Sequence, residues 1–427
     1  MKDKLKAGSL FVLLVSAVFS LSLYFDYDDR FKVISSDAEG YYQYLPAVFI
    51  KKDITDQPYS YYMEDGKLFN KYTCGVAMLE MPFFLGAHVY TKLTAPDEAN
   101  GYTQNYEYGM QLSASFYLVA GMFFLYYFMR RYFPAWAIII TLLAIYQATN
   151  LLYYTHGEAG MSHVYSFFVF SGIIYLTPYF LQSRSIFYTL LLGAFLGIAV
   201  LLRPTNIILG LFILLYDVYS IKALQERIMF LLGKWWHFAI IAIIGIIVFI
   251  PQMYYWNRTI GKLFVNSYRY DYAVTGFINW RSPKIFQVLA GHRSGWLLYA
   301  PVMIISVAGL IWTFVKRLYH SRALMLIFLI LLYLSASWSA YTFGAAYGYR
   351  PFIELSALMS IPFAFVVWKV FSSKRMLLKI AMVLFIANCI FLNYRFIDLY
   401  NASWDGLGWK WENFRWIVKQ AYYIEPS

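Results

Sequence analysis

Long apolar runs recur along this chain, and they constrain its fold more than any other feature. A helix crosses a bilayer in about 17–25 apolar residues. Runs of that kind fall at 7–25, 109–129, 134–153, 163–181, 186–202, 205–220, 237–256, 296–315, 322–339, 351–370 and 377–394. That predicts an all-α polytopic membrane protein with about eleven transmembrane helices, forming one domain over residues 1–427. The chain is 61% hydrophobic and only 14% charged, with a mean hydropathy of +0.53, too apolar to cover itself with polar surface in water. The spans 186–202 and 205–220 are short and joined by Arg203-Pro204-Thr205-Asn206, so tilted or partial crossings are both open there.

Charge sets the orientation. Lys2, Lys4 and Lys6 precede the first span, and alternate loops carry Arg130-Arg131, Arg184, then Lys222, Arg227 and Lys234. Lys316-Arg317 with Arg322, and Lys369, Lys374, Arg375 and Lys379, continue the alternation. Basic short loops stay cytoplasmic, which predicts a cytoplasmic N-terminus, an extracytoplasmic C-terminus and a home in the cytoplasmic (inner) membrane. The net charge of +12 belongs to these loops and does not imply a nucleic-acid partner. The first span lacks a small-residue cleavage site at Leu23-Tyr24-Phe25-Asp26 and reads as an uncleaved anchor.

The outer side then holds a long first loop, 26–108, a second long loop, 257–295, a short one at 340–350 and the tail 395–427. Within the first loop the apolar stretch 72–93 carries Glu80, Pro82 and His88. A span there would invert every later loop, so an interfacial helix is expected. The tail, with Trp404, Trp409, Trp411 and Trp416, has the composition of a segment at the headgroup level. Cys74 and Cys389 form neither a disulfide framework nor a metal spacing. Gly193 and Gly197 make a small-xxx-small motif suited to helix packing.

The chemistry-bearing residues gather in the outer loops. Ser35-Ser36-Asp37-Ala38-Glu39-Gly40-Tyr41-Tyr42 sets two carboxylates just beyond the first span. Asp37 is a candidate general base and Glu39 a second candidate. Two residues apart on a helix, they point in divergent directions. Ser36 through Glu39 also fits a capping box, with Ser36 as N-cap, in which the helix N-terminus would hold Asp37 ionised. A second cluster, His156-Gly157-Glu158-Ala159-Gly160-Met161-Ser162-His163, lies in a tight outer turn. Glu158 and His163 are candidate ligands for Mg²⁺ or Mn²⁺, although their spacing is diagnostic of no metal, and no cofactor follows with certainty. Ser162 is placed to cap the next helix.

Cations form a third group: Arg203 before Pro204, Arg350 at the opening of a span, and His292 with Arg293 in Gly291-His292-Arg293-Ser294-Gly295-Trp296. A guanidinium matches phosphate oxygens through a planar fork. No Walker-type or Rossmann glycine pattern is present, so nucleotide binding has no support. The main acids within spans, Asp217 and Glu354, lie near span ends, which weakens an ion-coupled transporter.

These features together resemble the GT-C integral-membrane glycosyltransferases. The chain is similar to the dolichyl-phosphate-mannose protein mannosyltransferase type (family 39) and to the lipid A aminoarabinose transferases. The matching residues are Asp37 with Glu39, Glu158 with Ser162-His163, Leu202-Arg203-Pro204-Thr205, Gly295 through Pro301, and Gly344 through Pro351. Family members often carry adjacent acids or Asp-x-Asp where this chain has Asp37-Ala38-Glu39, which leaves open which acid is the base. The resemblance implies a sugar donor on a polyprenyl phosphate and an acceptor hydroxyl on a glycan, lipid or protein. It also implies attack with inversion, assisted by Asp37, and a lipid phosphate bound by Arg203, Arg350, His292, Arg293, Tyr41 and Tyr42. A polysaccharide polymerase or ligase, or a lipid-linked-sugar flippase, is the alternative.

Overall fold

The computed structural model describes residues 15, 18–19, 33–62, 68–183, 185–267, 276–344, 346–401, 404, 406 and 408–423. Most of the expected first span, 7–25, lies outside the described residues. The first long loop opens with helices α1 (Ser36–Tyr42) and α2 (Tyr44–Phe49). A two-residue antiparallel ribbon follows, β1 (Tyr61–Tyr62) with β2 (Leu68–Phe69), and then α3 (Gly75–Thr94). The bundle continues through α4 (Gln104–Met129), α5 (Ala135–Gln147), α6 (Leu151–His156), α7 (Ser162–Ser183) and α8 (Ile186–Leu202). Next come α9 (Gly210–Leu215), α10 (Ile221–Leu232) and α11 (Trp235–Ile260). The second long loop holds α12 (Ile285–Ala290) and runs into α13 (Trp296–Tyr299). The chain closes with α14 (Met303–Lys316), α15 (Ser321–Ser337), α16 (Leu355–Ser372), α17 (Met376–Leu399) and α18 (Trp411–Tyr422).

Five helices, α4, α7, α11, α16 and α17, are long and apolar enough to cross a membrane. The shorter apolar helices α5, α8, α14 and α15, with the 3₁₀ and α turns over 204–215, fall on the other expected spans. The protein is an integral membrane protein. Two expected spans are interrupted. The 134–153 run stops at Gln147 and restarts at Leu151. The break leaves carbonyls without helical partners, and Asn393 of α17 donates to the carbonyls of Gln147 (2.7 Å) and Thr149 (2.9 Å). The 296–315 run breaks where Pro301, which has no N–H to donate, separates α13 from α14.

Burial divides the bundle. The most apolar window of α7 is 78% buried and that of α11 only 11%, so α7 belongs to the protein core while α11 keeps its apolar faces for lipid. The small-residue motif packs helices as its spacing predicts. A Cβ on Gly193 would lie 3.1 Å from Ile241 Cα, and one on Gly197 would lie 3.1 Å from Gly245 Cα, both on α11. Cys74 and Cys389 are buried and free.

The basic loops meet at one end. Arg131 sits over the Tyr179 ring at 4.7 Å, Tyr132 bonds His320 (2.8 Å), and Phe133 contacts Tyr319 and Trp368. The opposite ends of α7, α8 and α16 converge with α1, and that is where the candidate residues gather.

Candidate active site

Ser36 starts α1 with a left-handed backbone, φ +51°. A non-glycine residue there costs roughly 1–2 kcal/mol. The N-cap is Ser35, in extended backbone and without a side-chain cap bond, so the expected capping box headed by Ser36 is not made. The turn instead presents Asp37 to partners across a cavity of about 790 Å³. Arg350 Nη2 is 3.2 Å from Asp37 Oδ2, and the Tyr72 hydroxyl donates to Oδ1. Two glycines permit this approach. A Cβ on Gly40 would lie 2.1 Å from Tyr72 Cδ2, so only glycine lets the tyrosine ring lie against α1. A Cβ on Gly160 would lie 2.9 Å from Ala38 Cβ, so the Glu158 turn tucks directly beneath the Asp37 segment.

Burial alone would push the Asp37 carboxyl up, but Arg350, the Tyr72 hydroxyl and Lys71 outweigh it and hold it below its usual value. Glu158 lines the same cavity and takes a hydrogen bond from Tyr153 (3.0 Å). Burial pushes Glu158 up, Arg350 and Tyr153 offset part of that, and Asp37 adds to it. The environments thus separate the two carboxyls, favouring an ionised Asp37 beside a more readily protonated Glu158.

A second ion pair lines the cavity. Arg203 leaves α8 in extended backbone, where Pro204 prevents the helix from continuing. Its Nη1 lies 3.1 Å from Glu354 Oε1, its Nε donates to Ser162 Oγ (3.2 Å), and its Nη2 is 3.3 Å from His163 Nε2. His163 Nδ1 in turn lies 3.5 Å from Glu354 Oε2. Ser162, expected to cap α7, therefore has its hydroxyl engaged by Arg203. Arg350 arrives through a turn in which Gly348 takes φ +62° and Tyr347 donates to Asn393 Oδ1 (2.8 Å). The Arg350 Nε is buried with no partner among the described residues. Facing these charges is an apolar wall of Phe277, Leu331, Leu334, Trp338 and Phe343.

Not every expected residue reaches this cavity. Asp37, Tyr41, Glu158, Arg203 and Arg350 line it; Glu39, Tyr42, His163, His292 and Arg293 do not. Glu39 points away, as its offset of two from Asp37 requires, and partial burial pushes its carboxyl up. Tyr42 is buried and donates to the Gly101 carbonyl, fixing α1 to the end of the first loop. His292 binds the tail instead. Its Nε2 is 2.9 Å from the Trp409 carbonyl, and its own carbonyl accepts from Tyr299 (2.7 Å) and Trp409 Nε1 (3.2 Å). Arg293 is half-buried beside it. The expected Glu158–His163 metal pair is not assembled: both His163 ring nitrogens face Arg203 and Glu354. No group of three His, Cys, Asp or Glu among the described residues could hold a metal ion.

Sequence reasoning missed Lys71, Tyr72 and Tyr153, and treated Glu354 only as an acid near a span end. The available signals were local: a Lys-Tyr pair just before α3, and Glu354 one turn after Arg350.

The backbone has solved relatives in shape. Over 97% of its length it superposes on ArnT from Cupriavidus metallidurans bound to undecaprenyl phosphate, with TM-score 0.58, 15% identity and 69% of that chain covered. The fold is GT-C. It also superposes over 98% of its length on the archaeal oligosaccharyltransferase AglB from Archaeoglobus fulgidus, in complex with an inhibitory peptide and a dolichol-phosphate. There the TM-score is 0.54 and the identity 13%, and the chain spans 56% of that protein. No family model and no curated protein sequence matches this GT-C chain.

Proposed function

We propose that this GT-C protein is a membrane glycosyltransferase that moves a sugar from a polyprenyl-phosphate-linked donor to an acceptor hydroxyl, with Asp37 as general base. The observation that carries the reading is one cavity holding an ionised Asp37, the cations Lys71, Arg203 and Arg350, and an apolar wall. The two structural neighbours, bound to undecaprenyl phosphate and dolichol-phosphate, support a lipid-phosphate ligand. The basic loops at the end away from the cavity support a cytoplasmic N-terminus, a home in the inner membrane and an extracytoplasmic site.

The donor phosphate binds among Arg350, Arg203 and Lys71, and its isoprenoid chain lies along Phe277, Trp338 and Phe343. The acceptor oxygen attacks the anomeric carbon as the bond from that carbon to the phosphate oxygen breaks. The electron pair leaves on the lipid phosphate, the configuration inverts, and the acceptor proton passes to Asp37. A low-pKa carboxylate is a weak base, and general bases work best near the operating pH. An incoming phosphate draws the Arg350 charge toward itself and so raises the basicity of Asp37 as the site fills. General base catalysis contributes about 10²–10⁴-fold, with the remainder from positioning and charge stabilisation.

The test is mass spectrometry of envelope glycans, lipids and glycoproteins from a gene-deletion strain, restored with the wild-type gene or with Asp37→Asn. Deletion is expected to remove one sugar from one acceptor class, and Asp37→Asn at normal protein level to leave it missing. Full restoration by Asp37→Asn would rule out the base assignment.

A further inference from the structure

The Arg203 fork is fully engaged before any ligand arrives. Ser162, His163 and Glu354 take its three nitrogens at 3.1–3.3 Å, and Glu354 is the only carboxylate among them. Glu354 lies behind its cation with a side chain 5% exposed, while that of Arg203 is 20% exposed, and both line the cavity. A phosphate that reaches Arg203 must therefore share it with a carboxylate buried away from water. Like charges held in a site of low dielectric repel strongly.

The two phosphates the site would meet differ in charge. A sugar–phosphate–polyprenyl donor is a phosphodiester with one negative charge. The polyprenyl phosphate left after transfer is a monoester whose second ionisation, with a pKa near 6, gives it a charge of about −1.5 to −2 at pH 7. Lys71, Arg203 and Arg350 without a counterweight would hold the product more tightly than the donor.

We propose that Glu354 is an affinity-setting residue: it competes with the lipid phosphate for Arg203, penalises the more highly charged product, and so speeds its release. This rests on the donor reading given above. It makes Glu354 a positioning and specificity residue that touches no reacting atom.

The test measures binding of undecaprenyl phosphate and of its methyl diester to the detergent-solubilised full chain, wild type and Glu354→Gln, at pH 7.5. For the monoester, Glu354→Gln is expected to bind on the order of tenfold tighter, with a smaller gain for the diester. In turnover assays KM and kcat should fall together, because product release becomes slower. Equal or weaker monoester binding by Glu354→Gln would overturn the proposal and leave Glu354 as a scaffold for Arg203. Should Glu354→Gln not fold, wild type alone decides. Comparable affinity for monoester and diester supports the proposal, and a monoester preference of about tenfold or more defeats it. Failure of wild type to bind either lipid would instead remove the donor reading on which the proposal rests.

Discussion

Two cation–carboxylate pairs face the same cavity, and they are built in opposite ways. In Asp37–Arg350 the acid is the more accessible partner, with side-chain exposure of 33% against 15% for the arginine. In Glu354–Arg203 the acid is the hidden partner, at 5% against 20%. The first acid sits on a short helix that starts at a left-handed serine, held by one tyrosine and one arginine. The second stands at the N-cap position of core helix α16 without a side-chain cap bond and is hemmed in by His163. An acid presented to a cavity can exchange a proton with a ligand. An acid buried behind its cation can only adjust that cation's field.

Removing the cations should expose this asymmetry most sharply. Arg350→Ala takes away the partner of Asp37 and, on the proposed mechanism, a phosphate ligand, and a loss of about 10²–10³-fold in kcat/KM is expected. Arg203→Ala should cost less, about tenfold, because Glu354 already neutralises much of its charge. Steady-state kinetics on the two purified variants checks the order, and a larger loss for Arg203→Ala would break the comparison.

The pH dependence gives an intermediate effect. On the proposed mechanism ionised Asp37 is the active form, and its pKa is held below the usual carboxylate value, so kcat/KM should fall only as the pH drops through that lowered pKa. Tyr72→Phe removes a hydrogen bond to the carboxylate and should move this acid limb upward. Activity near pH 5 would then fall more than activity near pH 7. An unmoved limb would show that Tyr72 does not hold Asp37 ionised.

The smallest effect belongs to His292. Tied to Trp409 rather than to the cavity, His292→Ala should lose less than about threefold in activity, while unfolding about 1 kcal/mol more easily through loss of the tail contact. Thermal unfolding beside a transfer assay reads both. A large rise in donor KM would return His292 to the phosphate site.

Much of this was legible in the residues themselves. Apolar length located the helices, since a bilayer demands about 20 apolar residues regardless of neighbours. The divergence of Asp37 and Glu39 followed from helical geometry alone. The packing role of Gly193 and Gly197 was equally local, because their spacing aligns them on one helix face. What escaped were pairings between distant segments. Tyr72 reaches Asp37 only because Gly40 has no side chain, and His163 turns to Arg203 rather than to Glu158. His292 had the right residue type for a phosphate ligand, yet the tail captured it.

The sequence by itself determined the all-α membrane class and the grouping of acids and cations at one end of the bundle. Those properties depend on apolar length and loop charge, which are additive along the chain. Only the tertiary structure decided which acid faces the cavity, which is locked behind an arginine, and which histidine is diverted to structure. A buried charge takes whatever partner the packing brings within about 3 Å, and that choice is made by segments far apart in the chain.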